Sequence, residues 1–98
     1  MTYLEEIAAA IHEAVPTDAL PDEDTSALFL MYAVLLLAKG EDVSREDVHN
    51  AWVAWMNAGC GAQESMVPFD ELPPETQAAD SPFVMAIHRV ARERASEP

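Results

Sequence analysis

Positive charge is scarce in this chain. Five Lys and Arg stand against eighteen Asp and Glu in 98 residues, a formal net charge of −13. Neutralising a phosphate backbone needs a basic surface, so the composition argues against direct nucleic-acid binding and against docking on an anionic membrane. Cysteine is reduced to one residue, Cys60, which rules out an internal disulfide and fits a reducing cytoplasm. Glycine occurs three times, and this scarcity beside many Ala and Leu favours helices over strands. No basic segment followed by an apolar run opens the chain. Met1 leads straight into an amphipathic acidic stretch, so no signal peptide is expected. Long apolar runs are missing as well. The longest, Ala27 to Ala38, spans about 18 Å as a helix, short of the roughly 30 Å of a bilayer core, and reads as a buried core helix.

Half of the residues are hydrophobic, enough for a core in one domain over 1–98. The expected division is an N-terminal helical pair over 1–46 and a second helical segment over 47–96. The charge is unevenly spread. Residues 1–80 hold sixteen acids against Lys39 and Arg45, whereas residues 81–98 hold Arg89, Arg92 and Arg94 against Glu93 and Glu97. The acidity has two readings: solubility through self-repulsion, or an acidic face that docks on a basic partner or mimics DNA. Asp22, Glu23, Asp24, Glu41 and Asp42 are the candidates for that face.

Thr2 and Glu5 have capping-box spacing, and Leu4, Ile7, Ala8, Ile11 and Val15 recur at helical spacing behind them. Glu5, Glu6 and Glu13 fall on the opposite face, and Pro16 ends the helix. The stretch 16–25 is a loop, with Leu20 as its anchor. Asp24 or Thr25 caps a second helix over 26–39, stopped by Gly40. This helix is apolar nearly all round through Leu28, Phe29, Met31, Tyr32, Leu35 and Leu36, the mark of an element buried from several sides. Ser44 with Asp47 starts a third helix over 45–58, with Val48, Ala51, Trp52, Trp55 and Met56 as its stripe and Gly59 at its end. Residues 59–68 form a connection in which Met66, Val67 and Phe69 make a short extended piece packed on Trp52 or Trp55. Asp70–Leu72 and Pro74–Ala78 suggest helical turns. Asp80 caps a last helix from near Pro82, with Phe83, Val84, Ile87, Val90 and Ala91 inward.

Side chains that carry chemistry are sparse. His12, His49 and His88 each stand alone, without metal-ligand spacing. His49 is within local reach of Asp42 or Asp47 for a surface hydrogen bond. Cys60 follows a helix C-terminus in acidic surroundings, the wrong setting for an activated thiolate. With eighteen acids, carboxylate pairs arise by chance and carry no glycosidase argument. Trp52 and Trp55 share one helix face, as a core stripe or as an aromatic wall for a flat ligand or a partner. His88, Arg89 and Arg92 make either a solvated helix end or a place for an anionic ligand.

From Val48 onward the segments VHNAWVAWM, MVPFDELPPETQAAD and PFVMAIHRVA resemble the RyR domain, the small module named after ryanodine receptors. The likeness covers about residues 47–92, and Val67 to Pro73 is its most specific part. The chain departs from that pattern at Gly59 to Met66, which is short and holds no basic residue where the family has a longer stretch with aromatic, glycine and basic residues. The resemblance implies a nucleotide-signal sensor or sponge, with Trp55 stacking on the ligand and Arg89 and Arg92 meeting its phosphates. The longer pattern, including YAVLLLAKGEDVSREDVHNAW, is similar to small proteins of actinobacteria and their phages, which implies a complete stand-alone protein.

The fold expected is all-α, a compact bundle of four main helices with a short helical turn region near 70–79 and an RyR-like second half. The second helix is central, and the last two long helices pack through Trp52, Trp55, Phe69, Phe83 and Ile87. The function expected is a non-enzymatic, phage-encoded acidic binding module, without catalytic residues, metal or cofactor, that engages a host or cognate protein in the cytoplasm. The alternatives are the nucleotide-like sensor or sponge and an acidic DNA-mimic inhibitor. A homodimer through the second helix is a further expectation, because its apolar surface exceeds what three flanking helices must cover.

Overall fold

Short-range hydrogen bonds define the helix starts. In the computed structural model, which describes residues 2–20, 24–59 and 67–96, Thr2 Oγ1 accepts the Glu5 N–H at 3.2 Å and Glu5 Oε1 accepts the Thr2 N–H at 3.0 Å. This reciprocal box opens α1 (Tyr3–Ala14), satisfying two N–H groups that a helix start leaves free. Val15 then turns extended ahead of Pro16, and one 3₁₀ turn, Thr17–Ala19, follows. Helix α2 (Ser26–Lys39) is opened by Asp24: its Oδ1 accepts from the Ser26 N–H at 3.0 Å and the Ser26 hydroxyl at 2.7 Å. The hydroxyl bond first, and then the backbone bond, hold the Asp24 carboxyl below the usual range. Thr25, the other expected cap, is buried and makes no capping bond.

Gly40 ends α2 at φ +56° and ψ −123°, a conformation open chiefly to glycine. A 3₁₀ turn, Gly40–Asp42, leads to α3 (Arg45–Gly59). Ser44 Oγ accepts the Asp47 N–H at 3.2 Å and Asp47 Oδ2 accepts the Ser44 N–H at 2.9 Å, so the expected box is present. Beyond it come a 3₁₀ turn, Phe69–Glu71, the short α4 (Pro74–Ala78) and α5 (Ser81–Ala95). Phe69 is therefore helical, not part of an extended piece. It faces His49, at 6.2 Å between ring centroids, and the Arg45 guanidinium, 5.7 Å above its ring. Met66, the first residue of that expected piece, lies outside the described residues.

The result is an all-α bundle with no strand among the described residues. Helix α2 is central: Leu28, Phe29, Tyr32, Ala33 and Leu36 are buried. Ile7, Ala8, Ile11 and Val15 cover one flank, and Val84, Ala86, Ile87 and Val90 of α5 close over both helices. Val48 of α3 and Val43 before it complete one contiguous core. Val34 and Leu37 on the outer face of α2 remain 53% and 47% exposed, so the flanking helices leave part of its apolar surface uncovered. Among the described residues no helix is long and apolar enough to cross a membrane.

Candidate ligand site

Helix α3 turns Val48 fully into the core but leaves Trp52 and Trp55 half-buried. Both indoles pack against the core from one side. A half-open hollow of about 310 Å³ lies there, bordered by Trp52 and Trp55, by Leu28 and Tyr32 of α2, and by Phe83 of α5. Tyr32 and Phe83 are tilted partners at 5.9 Å between centroids. The last two long helices are expected to pack through Trp52, Trp55, Phe69, Phe83 and Ile87. Ile87 is fully buried in the core, and Trp52, Trp55 and Phe83 pack against that core while also bordering the hollow. Phe69 is placed apart from this set, against His49 and Arg45.

Among the described residues, His49, Thr76, Asp80 and the Tyr32 phenol bring polar groups to the hollow. His49 is 3% exposed, and its ring donates Nε2–H to the Val67 carbonyl at 2.6 Å. It lies against Trp52 at 5.9 Å with 23° between the planes. The expected surface bond from His49 to Asp42 or Asp47 is thus absent, because α3 winds His49 inward. Asp47 instead serves the Ser44 cap and holds Lys39 at 3.1 Å.

Asp80 stands at the start of α5 yet makes no side-chain cap, against expectation. Its carbonyl accepts the N–H groups of Phe83 and Val84, both at 3.2 Å, while its side chain borders the hollow. There the Oδ2 atom is buried without a hydrogen-bond partner among the described residues. Loss of solvent pushes the Asp80 carboxyl up to about 6, against the pull of His49 and Arg45. Burial, and then the Asp80 charge, likewise raise the Tyr32 phenol above its usual range.

The three residues expected to form a nucleotide site do not come together. Trp55 borders the hollow just described, whereas Arg89 and Arg92 line a separate depression with Pro16, Pro82, Met85 and His88. Helical geometry is the reason: nine residues at 3.6 per turn set Arg92 about 180° around the axis from Phe83. Both arginines also have anionic neighbours. Arg89 meets Glu93 at 3.5 Å, and Arg92 meets Glu41 at 3.3 Å. His88 donates Nε2–H to the Val43 carbonyl at 2.6 Å and ties α5 to the turn after α2.

Of the expected acidic face, Asp24, Glu41 and Asp42 are exposed. Asp24 is engaged by Ser26 and Glu41 by Arg92. Asp22 and Glu23 lie outside the described residues, as does Cys60. Among the described residues no group of three His, Cys, Asp or Glu side chains is placed to hold a metal. Tyr32, His49, Thr76, Asp80 and Phe83 enter the site without having been singled out as ligand residues. Tyr32 and Phe83 read as core, Asp80 as a cap and His49 as surface.

An all-α bundle with an aromatic hollow, and at its edge a carboxylate oxygen without a partner among the described residues, is the class defined by these features. The chain belongs to the family described as a domain of unknown function, DUF7701, whose model matches residues 2–92. The match takes in every residue named at the hollow. No curated protein and no solved structure matches the chain.

Proposed function

We propose that this domain is a non-enzymatic binding module whose ligand occupies the hollow between α2, α3 and α5. The supporting observation is Asp80 Oδ2, a buried carboxylate oxygen without a partner among the described residues, beside four aromatic side chains. An unsatisfied buried acceptor costs about 1–3 kcal/mol, and a ligand donor in the hollow removes that cost. Apolar walls with a few convergent polar groups and a perturbed carboxyl are the usual marks of a ligand site. The reading keeps the sensor role implied by the RyR likeness and changes the ligand. None of the described residues around the hollow is Lys or Arg, so a phosphate placed there has no cationic partner.

The test is a fragment screen followed through the indole N–H resonances of Trp52 and Trp55. A subset of two-ring fragments is expected to move both resonances together. Saturating ligand should then raise stability by about 2.7 kcal/mol at a hundred times Kd. If nothing in the screen moves either indole at millimolar concentration, the hollow is not a ligand site.

A second reading, engagement of a basic host protein by a phage-encoded acidic module, draws on exposed carboxylates, among them Glu6, Glu13, Asp18 and Asp24. A partner retained from host lysate at low salt, and lost on Glu13→Lys with Asp18→Lys, supports it. Recovery of no partner by either form at low salt and high counts against it.

A further inference from the structure

We infer that the hollow takes a small organic cation carrying N–H donors, an arylalkylammonium or an amidinium, in preference to a neutral, quaternary or phosphorylated ligand. The inference rests on the ligand-site reading above and adds the chemistry of the occupant. Four observations lead to it.

First, the orphan atom is an acceptor. Asp80 Oδ2 is buried and unpartnered among the described residues, so it calls for an N–H or O–H. A quaternary ammonium offers none, and a phosphate adds like charge beside the carboxylate. Second, the Arg45 guanidinium stands over the Phe69 ring at 5.7 Å, and the His49 Nε2–H is committed to the Val67 carbonyl, so neither gives the orphan oxygen a hydrogen bond, although the field of both favours its charged form. Third, Trp52, Trp55, Tyr32 and Phe83 surround the space, and aromatic faces attract ammonium and guanidinium groups, tryptophan most strongly. Fourth, the volume of about 310 Å³ is roughly twice the ~150 Å³ cavity that holds one benzene, room for a two-ring amine. The formal net charge of −13 raises the local concentration of cations around the whole domain.

The probes are three ligands of nearly one shape and different charge: tryptamine, tryptophol and indole-3-acetate, with adenosine monophosphate as the phosphate arm. Titrations follow the Trp52 and Trp55 indole resonances in about 0.3 M NaCl, which screens the general field of the protein. Tryptamine is expected to bind at least tenfold more tightly than tryptophol, with indole-3-acetate and the nucleotide weaker still. Asp80→Asn, checked for folding by thermal melting, should bring tryptamine and tryptophol within about twofold of each other. Asp80 faces His49 and Arg45 of α3 and Tyr32 of α2. With its carboxyl at about 6, wild-type affinity for tryptamine should fall about tenfold between pH 7.5 and pH 5. Equal binding of tryptophol, preferred binding of the nucleotide, or a tryptamine preference that persists in Asp80→Asn overturns the cation assignment while the hollow stands as a site. Silence of both indoles toward all four probes and toward the fragment screen removes the site together with the inference.

Discussion

On the flank facing α1, the central helix α2 meets Ile7, Ala8 and Ile11, and α5 adds Val84, Ile87 and Val90, all exposed by less than a tenth of their surface. On the flank facing α3, it meets Trp52 and Trp55, which are only partly buried and border an open volume. Both flanks are apolar, and the difference is one of shape. Alanine and β-branched side chains let helices approach and interlock at crystal-like density. Two indoles, a phenol and a phenyl ring border the open volume beside α3. The first flank concentrates packing energy. The second gives some of it up and carries a carboxylate whose buried oxygen has no partner among the described residues.

This contrast sets the order of expected effects. Ile87→Ala removes a fully buried side chain from the closed flank and should cost about 2–5 kcal/mol in urea denaturation. Trp55→Ala loses more atoms, but from a half-buried residue at an existing void, and should cost less than about 2 kcal/mol. Equal losses for the two substitutions break the comparison.

Asp80→Asn sharpens the comparison in the opposite direction, because it should stabilise. The folded-state pKa of Asp80 is raised from 3.8 to about 6. Its contribution is therefore fully present below about 3.8 and is lost as the pH rises through about 6. Discounted for the partial exposure of the group, the gain from Asn at pH 8 is on the order of 1 kcal/mol. It should vanish toward pH 4, as urea melts of both proteins across that range will show. An advantage independent of pH means that the Asp80 carboxylate is not the source.

The smallest effect is expected away from both flanks. Lys39 is half-exposed and holds Asp47 at 3.1 Å. Lys39→Ala should change stability by no more than about 1 kcal/mol, and less as salt is added. A larger loss makes the α2–α3 junction, and not the closed flank, a main support of the fold.

The helices were legible because their determinants are local. Thr2 with Glu5 and Ser44 with Asp47 act over three residues, and Gly40 acts within one. The aliphatic periodicity of Ile7, Ile11, Val84, Ile87 and Val90 likewise sorts buried from exposed faces without knowledge of the neighbours. The site was legible only in its aromatic wall. Trp52 and Trp55 at helical spacing admitted both a core stripe and a ligand wall, and in the fold both pack against the core while bordering the hollow. Asp80 and His49 were misread for one reason: a local role, cap or surface hydrogen bond, was available to each. In the fold, His49 bonds to Val67, eighteen residues away, and Asp80 borders a half-open space lined from α2, α3, α4 and α5. Neither relation leaves a trace at short range.

Pattern and composition alone determined the all-α class, the helix limits, the central place of α2 and the acidic charge balance, since these follow from capping, periodicity and counting. Tertiary structure decided that Arg89 and Arg92 stand away from Trp55, that His49 is buried and that the Asp80 carboxylate borders an aromatic hollow. Those outcomes depend on how α2, α3 and α5 pack against one another, which no segment sets on its own.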